Sequence, residues 1–323
     1  MERSEVGHET CSAKGLERSC AINLSRSATT DNTGVAGSSY SWVGTMTTKA
    51  LLRNGLKHLL PVPWYWRFVA WRIGYFDIEL RLLRYLCDRT KVSIDIGASI
   101  GSYTVHLLNH SRKCYAFEPR PDSAAYLEDR LAARPNPRLR VEAVALSDHT
   151  GDAQLRILVN DLGRSSIEKE NPVEQLGVVE TLTVPTRRLD DYDAIEPVGC
   201  IKIDVEGHED AVLRGAKRIL VRDHPSLIIE IEERHKRHSV STVNDFLAEL
   251  GYKGFFFRGS RLNPIESFRV EEHQDTSNIV NNINKENKYV NNFLFFANES
   301  LAKVRHLVEG KRATGKRECG LHS

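Results

Sequence analysis

The chain has 323 residues, 41% hydrophobic and 27% charged, enough for one large domain with extensions and a full core. No run approaches the ~20 apolar residues of a membrane-spanning helix. Lysine and arginine number 45 against 43 acidic residues, a net charge of +2, so no nucleic-acid partner is expected. The first residues carry Glu2, Glu5 and Glu9 instead of the basic-then-apolar layout of a secretory signal, and a cytoplasmic location is expected. Cys11, Cys20, Cys87, Cys114, Cys200 and Cys319 are scattered without a C-x-x-C pair, which leaves neither zinc-ligand spacing nor a disulfide framework. Cys114 and Cys200 adjoin apolar strands and read as buried free thiols.

Residues 1–40, rich in Ser, Thr, Gly and Asn, read as a flexible leader. Residues 41–90 read as a helical cap. A helix over Thr47–Leu60 stops at Pro61 and Pro63, Trp64, Tyr65, Trp66, Phe68 and Trp71 crowd together, and a second helix runs from Asp77 to Cys87. Packing on the main domain accounts for these aromatics, with a substrate lid or an interfacial membrane anchor as alternatives. Basic residues outnumber acidic ones from Ser41 to Ile94 and in the tail 298–323, so at most weak peripheral membrane contact is expected.

Residues 91–297 change texture. Strands are predicted at Val92–Ile96, Lys113–Phe117, Leu139–Val144, Gln154–Leu158, Cys200–Val205, Ser226–Ile231, Tyr252–Phe257 and Asn292–Ala297. Helices are predicted at Gly101–Asn109, Ser123–Ala133, His208–Leu220 and Ser241–Leu250. Gly151–Glu180 is otherwise polar and irregular, and Ser277–Asn292 reads as loop. Alternating strands and helices of these lengths predict a doubly wound, mostly parallel α/β sheet.

The segment Asp95-Ile96-Gly97-Ala98-Ser99-Ile100-Gly101 closes a strand and opens a helix, where open sheets bind ligands. The dinucleotide pattern G-x-G-x-x-G fails, because Ser99 and Ser102 stand where its second and third glycines belong. Asp95 beside a pyrophosphate would repel it, whereas S-adenosylmethionine offers an ammonium and a sulfonium. Glu118, in Phe117-Glu118-Pro119, ends the next strand and suits two ribose hydroxyls, and the loop at Ser147 and Asp148 suits an adenine.

Lys202, Asp204 and Glu206 alternate along an extended segment and are expected on one side, with Ile201, Ile203 and Val205 in the core. Three charges closing a central strand at the ligand edge are expensive without a purpose. Asp204 is the first candidate to orient a hydroxyl or take its proton, Glu206 and His208 come next, and Lys202 would steady nearby carboxylates or a developing alkoxide. Glu230 is placed to support them. Gly163–Ile167, with Arg164, Ser165 and Ser166, forms a candidate acceptor wall. Asp204, Glu206 and Glu209 are oxygen donors, with Asp190 and Asp191 upstream, but no compact ligand motif exists and no metal site is assigned. His106, His110, His224 and His235 read as helix or surface residues.

Together Ile94–Gly101, Phe117–Pro119, Ala145–Asp148, Leu189-Asp190-Asp191, Ile201–Glu209 and Val212-Leu213-Arg214-Gly215-Ala216 resemble the FkbM family of methyltransferases. The resemblance covers about half the chain, from Val92 to Tyr252, and Lys202–Gly207 is its most specific part. It implies a Rossmann-like class I methyltransferase fold, with a seven-stranded sheet and helices on both faces. It also implies O-methylation from S-adenosyl-L-methionine onto a sugar, glycolipid or polyketide-like small molecule. Asp95, Gly97, Ser99 and Gly101 would then hold the methionine part, Glu118 the ribose, and Asp204 would lie at methyl transfer. The family commonly has Asn where Ser99 stands. An NAD-dependent oxidoreductase on a related fold and a degenerate, non-catalytic nucleotide-binding module are the alternatives. The broken glycine pattern and the Asp204 cluster count against the first, and the retention of Asp95, Gly97, Gly101, Glu118 and Asp204 against the second. The acceptor and the oligomeric state are not legible.

Overall fold

Four short segments, Val92–Ile96 (β1), Lys113–Phe117 (β2), Ser226–Glu230 (β9) and Asn292–Ala297 (β14), are buried along nearly their whole length, and Tyr252–Arg258 (β10) over its middle, as strands covered on both faces must be. The computed structural model describes residues 78–131, 137–159, 164–259, 261–280, 283–284 and 288–301. These lie within one compact unit, Thr48–Ser323. The expected leader, the helix Thr47–Leu60, the aromatic cluster Trp64–Trp71 and the tail past residue 301 lie outside the described residues.

The remaining strands are Leu139–Glu142 (β3), Ala145–Leu146 (β4), Gly151–Leu158 (β5), Ser165–Ser166 (β6), Val179–Arg187 (β7), Val198–Ile203 (β8), Arg261–Pro264 (β11), Ile279–Val280 (β12) and Ile283–Asn284 (β13). The main sheet has the order β11-β10-β14-β9-β8-β1-β2-β3. From β3 across to β9 the strands are parallel, while β14 runs antiparallel between β9 and β10. This is the Rossmann-like class I order, but the expected seven strands are eight and the sheet is mixed. The addition is β11, which folds back antiparallel on β10 and buries Leu262 alone. One apolar residue before Pro264 carries no alternation, and a proline suits an edge.

Helices cover both faces. Ile78–Leu86 (α1) and Ser102–His110 (α2) bury Leu82, Leu83, Leu86, Tyr103 and Leu107 against Cys114, Cys200, Ile228 and Phe296. Pro121–Leu131 (α3) covers Ala116 with Leu127. Glu209–Arg214 (α4), Lys217–Asp223 (α5) and Ser239–Glu249 (α6) pack Val212, Leu220, Val243 and Leu247 on Ile94, Ile201, Leu227 and Phe293. Cys114 and Cys200 are fully buried free thiols, as expected.

Two further expectations need correction. The segment read as irregular after β3 builds a second sheet, β4-β7-β5-β6, in which β5 and β7 pair over their full length. Most of β7 faces solvent, so its sequence shows no apolar alternation. The single helix His208–Leu220 is two, broken at Gly215 and Ala216. Asp190 starts the second, since its carboxylate accepts the N–H of Arg218 at 2.8 Å and of Ile219 at 3.1 Å. The Leu189-Asp190-Asp191 motif is therefore a structural joint. Asp190→Ala is expected to cost about 1–2 kcal/mol in urea denaturation, with Asp191→Ala costing less than about 0.5 kcal/mol. Equal losses would contradict the capping role.

Candidate active site

The strand order places the crevice. The chain moves outward from β1 to β2 and β3, then returns to pair β8 on the other side of β1, so the carboxyl ends of β1 and β8 flank the point where the winding reverses. Asp95 near the end of β1 and Lys202 on β8 are paired across the two strands, and parallel partners share a face.

Lys202 is 1% exposed, and its ammonium must be compensated there. Nζ lies 3.9 Å from Asp204 Oδ2 and 3.8 Å from Glu230 Oε2. It donates to the Ile203 carbonyl at 3.1 Å and to Asn292 Oδ1 at 3.4 Å, and stands 5.0 Å from the centre of the Tyr103 ring. Burial pushes the Glu230 carboxyl up, the Asp204 charge adds to this, and Lys202 opposes it. Asp95 accepts from Thr104 Oγ1 at 2.5 Å. Its burial pushes it up to about 6 against the Thr104 hydrogen bond and the Lys202 charge. Asp204 keeps 35% of its side chain exposed. Three carboxylates thus share one buried cation.

The loop after β1 rests on the same edge. Gly97 has φ +77°, and a Cβ there would come within 1.8 Å of the Asp204 carbonyl oxygen, so only glycine lets the two loops close on each other. The Gly97 and Ala98 N–H groups donate to the Phe117 carbonyl, and Gly101 caps α2. Ser99 has φ 49°, a left-handed conformation in which Asn is favoured over most residues. Its N–H donates to Glu118 Oε2 at 2.8 Å, while the Arg120 N–H donates to Oε1 at 3.0 Å. Glu118 is buried, and burial raises its pKa against these two bonds.

Ser147 is buried, and its hydroxyl lies 2.9 Å from His208 Nε2, with Asp148 exposed beside it and paired to His149. Gly215 explains this approach, because a Cβ there would meet the Ser147 carbonyl oxygen at 1.9 Å. His208 Nδ1 lies 3.4 Å from Glu168 Oε2. The His208 bond and Lys236, 3.2 Å away, hold Glu168 down at about 2.

The expected alternation stops early. Strand β8 ends at Ile203, and Glu206 adopts φ 54°, so it does not line up behind Lys202 and Asp204. Its carboxylate meets His235 Nε2 at 3.0 Å. Ser166 Oγ and Asn171 Nδ2 both donate to the Glu206 carbonyl at 2.7 Å, which binds the second sheet to this loop. His235, read as a helix or surface residue, is 8% exposed and part of this group. Asp204, Glu206 and Glu209 do not converge, since Glu209 folds back to accept the Gly207 N–H at 2.8 Å. Among the described residues no three His, Cys, Asp or Glu side chains are arranged to hold a metal ion. The candidate acceptor wall spans Gly163–Ile167, of which Gly163 lies outside the described residues.

Residues 95–253 match the Methyltransferase FkbM domain. Residues 95–253 form a domain of the FkbM methyltransferase family. The chain is 30% identical over 146 residues to the 2-O-methyltransferase NoeI of Sinorhizobium fredii, covering 41% of this chain and 59% of that protein. It is 27% identical over 212 residues to the hexuronic acid methyltransferase AglP of Haloferax volcanii, covering 64% of this chain and 81% of the relative. A crystal structure of a Methyltransferase FkbM from Methylobacillus flagellatus aligns with a TM-score of 0.43 and 16% identity, over 65% of this chain and 44% of its own length. Among the described residues no helix of this chain is long and apolar enough to cross a membrane.

Sequence reasoning missed Thr104, Tyr103, Asn292, Asn171 and Glu168, which reach the site from other elements. One available signal was the dense charge of Glu232-Glu233-Arg234-His235 directly after a buried strand.

Glu209 yields a pH test. Burial pushes its carboxyl up to about 7 from an ordinary 4.5, with the Gly207 N–H opposing. A raised carboxyl contributes fully below the unfolded value and loses that contribution as pH rises through the folded one. Glu209→Gln still accepts the Gly207 N–H, so it should gain stability relative to the parent between about pH 5 and pH 8. Urea denaturation showing a constant difference across that range would contradict this.

Proposed function

We propose that this chain transfers a methyl group from S-adenosylmethionine to a neutral hydroxyl, on a sugar, glycolipid or polyketide-like acceptor, with Asp204 orienting that hydroxyl. The carrying observation is that Asp204 and Glu230 lie 3.9 and 3.8 Å from the buried Lys202 ammonium while Asp95 pairs with Lys202 across β1 and β8. Carboxylates in excess at a crevice favour a cationic ligand and lower their own pKa values when one binds. They repel a dinucleotide pyrophosphate and equally repel an acceptor carboxylate.

When bound, the cofactor supplies an electrophilic methyl on a sulfonium. Asp95 and the Gly97–Gly101 loop would hold its methionine part, Glu118 the ribose, and Ser147 with Asp148 the adenine. Glu118 keeps lone pairs free beyond the two N–H groups it accepts. Asp204 is the most exposed carboxylate of the group, and Lys202 holds it from behind. A hydroxyl held there in line with the methyl replaces a bimolecular encounter by a bound pair. The name of the relative NoeI speaks for a hydroxyl acceptor and that of AglP for an acidic sugar. The charge of this site favours the first.

The test is transfer of a labelled methyl from S-adenosylmethionine to methyl hexopyranosides against the matching methyl glucuronide. Label should enter the neutral glycosides at least about tenfold faster, the effect of ~1.4 kcal/mol in the barrier. Preference for the glucuronide would overturn the neutral-acceptor reading. Asp204→Asn should lower kcat by about 10²-fold through loss of alignment, a larger loss than in cofactor affinity, which falls because one carboxylate facing the sulfonium is gone. Equal losses would make Asp204 a binding residue.

A further inference from the structure

Glu206 is a non-glycine residue held at φ 54°, and Ser166 of β6 and Asn171 from the loop after it fix its carbonyl. Such a conformation persists only where the surroundings over-determine it. Its effect is to aim the carboxylate at His235, with Oε2 and Nε2 3.0 Å apart. His235 comes from the segment after β9, and a second carboxylate, Glu232 Oε1, lies 3.9 Å from the same nitrogen. Glu232 is itself clamped by Arg234 at 2.6 and 2.8 Å and by the Tyr289 hydroxyl, which donates to it. Glu168 and Glu209 close the other side, with Glu168 side-chain atoms and His235 Cβ both against Gly207.

We propose that His235 is a positioning residue that completes a proton-accepting pair with Glu206, and that this pair takes the proton given up by the acceptor hydroxyl. The proposal rests on the methyl-transfer reading above. In the step, a lone pair of the acceptor oxygen forms the new C–O bond and the C–S bond breaks with its electrons left on sulfur. The O–H proton passes to the Glu206 carboxylate and is held between Oε2 and His235 Nε2. Asp204, on the Lys202 side, orients the hydroxyl but is not the final holder of the proton.

The electrostatics fit this division. Burial raises Glu206, its bond to His235 opposes that, and the charges of Asp204 and Glu232 add to it, for a net rise. Burial would lower His235, but the Glu206 bond and the charges of Glu206 and Glu232 outweigh burial and Arg234, again for a net rise. Burial would raise Glu232 too, yet Arg234, His235 and Tyr289 hold it low, so it stays an anion beside the pair. Two coupled groups titrate as a pair in two steps, and the fully deprotonated pair is the stronger proton acceptor. The rate therefore climbs as pH rises through the upper step, which lies above the ordinary histidine value of 6.5.

The experiment follows kcat against pH for the full chain, with labelled S-adenosylmethionine and methyl α-D-glucopyranoside. It is joined to ¹⁵N NMR titration of the histidine rings. The parent should show an acid limb above the ordinary histidine value. His235→Gln should erase that limb and lower kcat by about 10²–10⁴, with KM and cofactor affinity within about threefold. A His235→Gln enzyme with the parent's limb and kcat, or one losing affinity as much as kcat, would overturn the proposal. Glu206→Gln is the second variant, should the first fail to fold. In it the His235 ring should titrate lower than in the parent, and an unshifted ring overturns the pairing without any turnover. A parent chain that binds no S-adenosylmethionine overturns the methyl-transfer reading, whereas binding with an unshifted His235 ring overturns this inference alone.

Discussion

A lysine ammonium in the centre of a β-sheet needs anions and acceptors around it, and Lys202 recruits them from four strands: Asp95 on β1, Asp204 past β8, Glu230 on β9 and Asn292 on β14. The demand runs both ways. Removing the lysine would leave three carboxylates crowded at one edge, and removing them would leave a buried cation. Because all four strands present their ends at the same edge, satisfying one ammonium brings their ends into register and leaves the crevice with surplus negative charge. On the proposed reading, that surplus favours a sulfonium cofactor over a dinucleotide.

The second sheet depends on this core while shaping its mouth. Leu146 of β4 packs into the main core, Ser166 of β6 donates to the Glu206 carbonyl, and the loop after β6 adds Asn171 on the same carbonyl and Glu168 on His208 and Lys236. Two glycines set how near the pieces come. Gly97 lets the β1 loop touch the backbone at Asp204, and Gly215 lets α4 press on the backbone at Ser147. Both contacts are backbone to backbone and cannot relax around a side chain, so the family motifs containing these glycines are geometric requirements of the site.

Much of the fold was legible because β1, β2, β9, β10 and β14 are largely covered on both faces and are therefore rich in apolar residues. The edge strand β11 and the exposed strand β7 escaped for the converse reason, since each buries little: Leu262 alone in β11, and Val184 and Thr186 in β7. In the site, Asp95, Lys202, Asp204 and Glu230 stood at strand ends in a recognisable order. Glu206 did not follow the pattern, because nothing in a glutamate announces a left-handed φ. Residues 40 and 35 positions earlier, Ser166 and Asn171, hold it there. His235 escaped because the carboxylate that gives it a role reaches it from the loop after another strand. Alternation describes a strand only while the strand lasts.

The central claim is that the crevice at Asp95, Glu118 and Asp204 is built for a sulfonium nucleoside. Calorimetric titration of the full chain with S-adenosylmethionine, S-adenosylhomocysteine and NADH tests it most directly, with Glu118→Ala alongside. The account predicts binding of both sulfur nucleosides, none of NADH, and a loss of at least about tenfold in Glu118→Ala, the effect of ~1.4 kcal/mol. Binding of NADH, or of neither sulfur nucleoside, would contradict it.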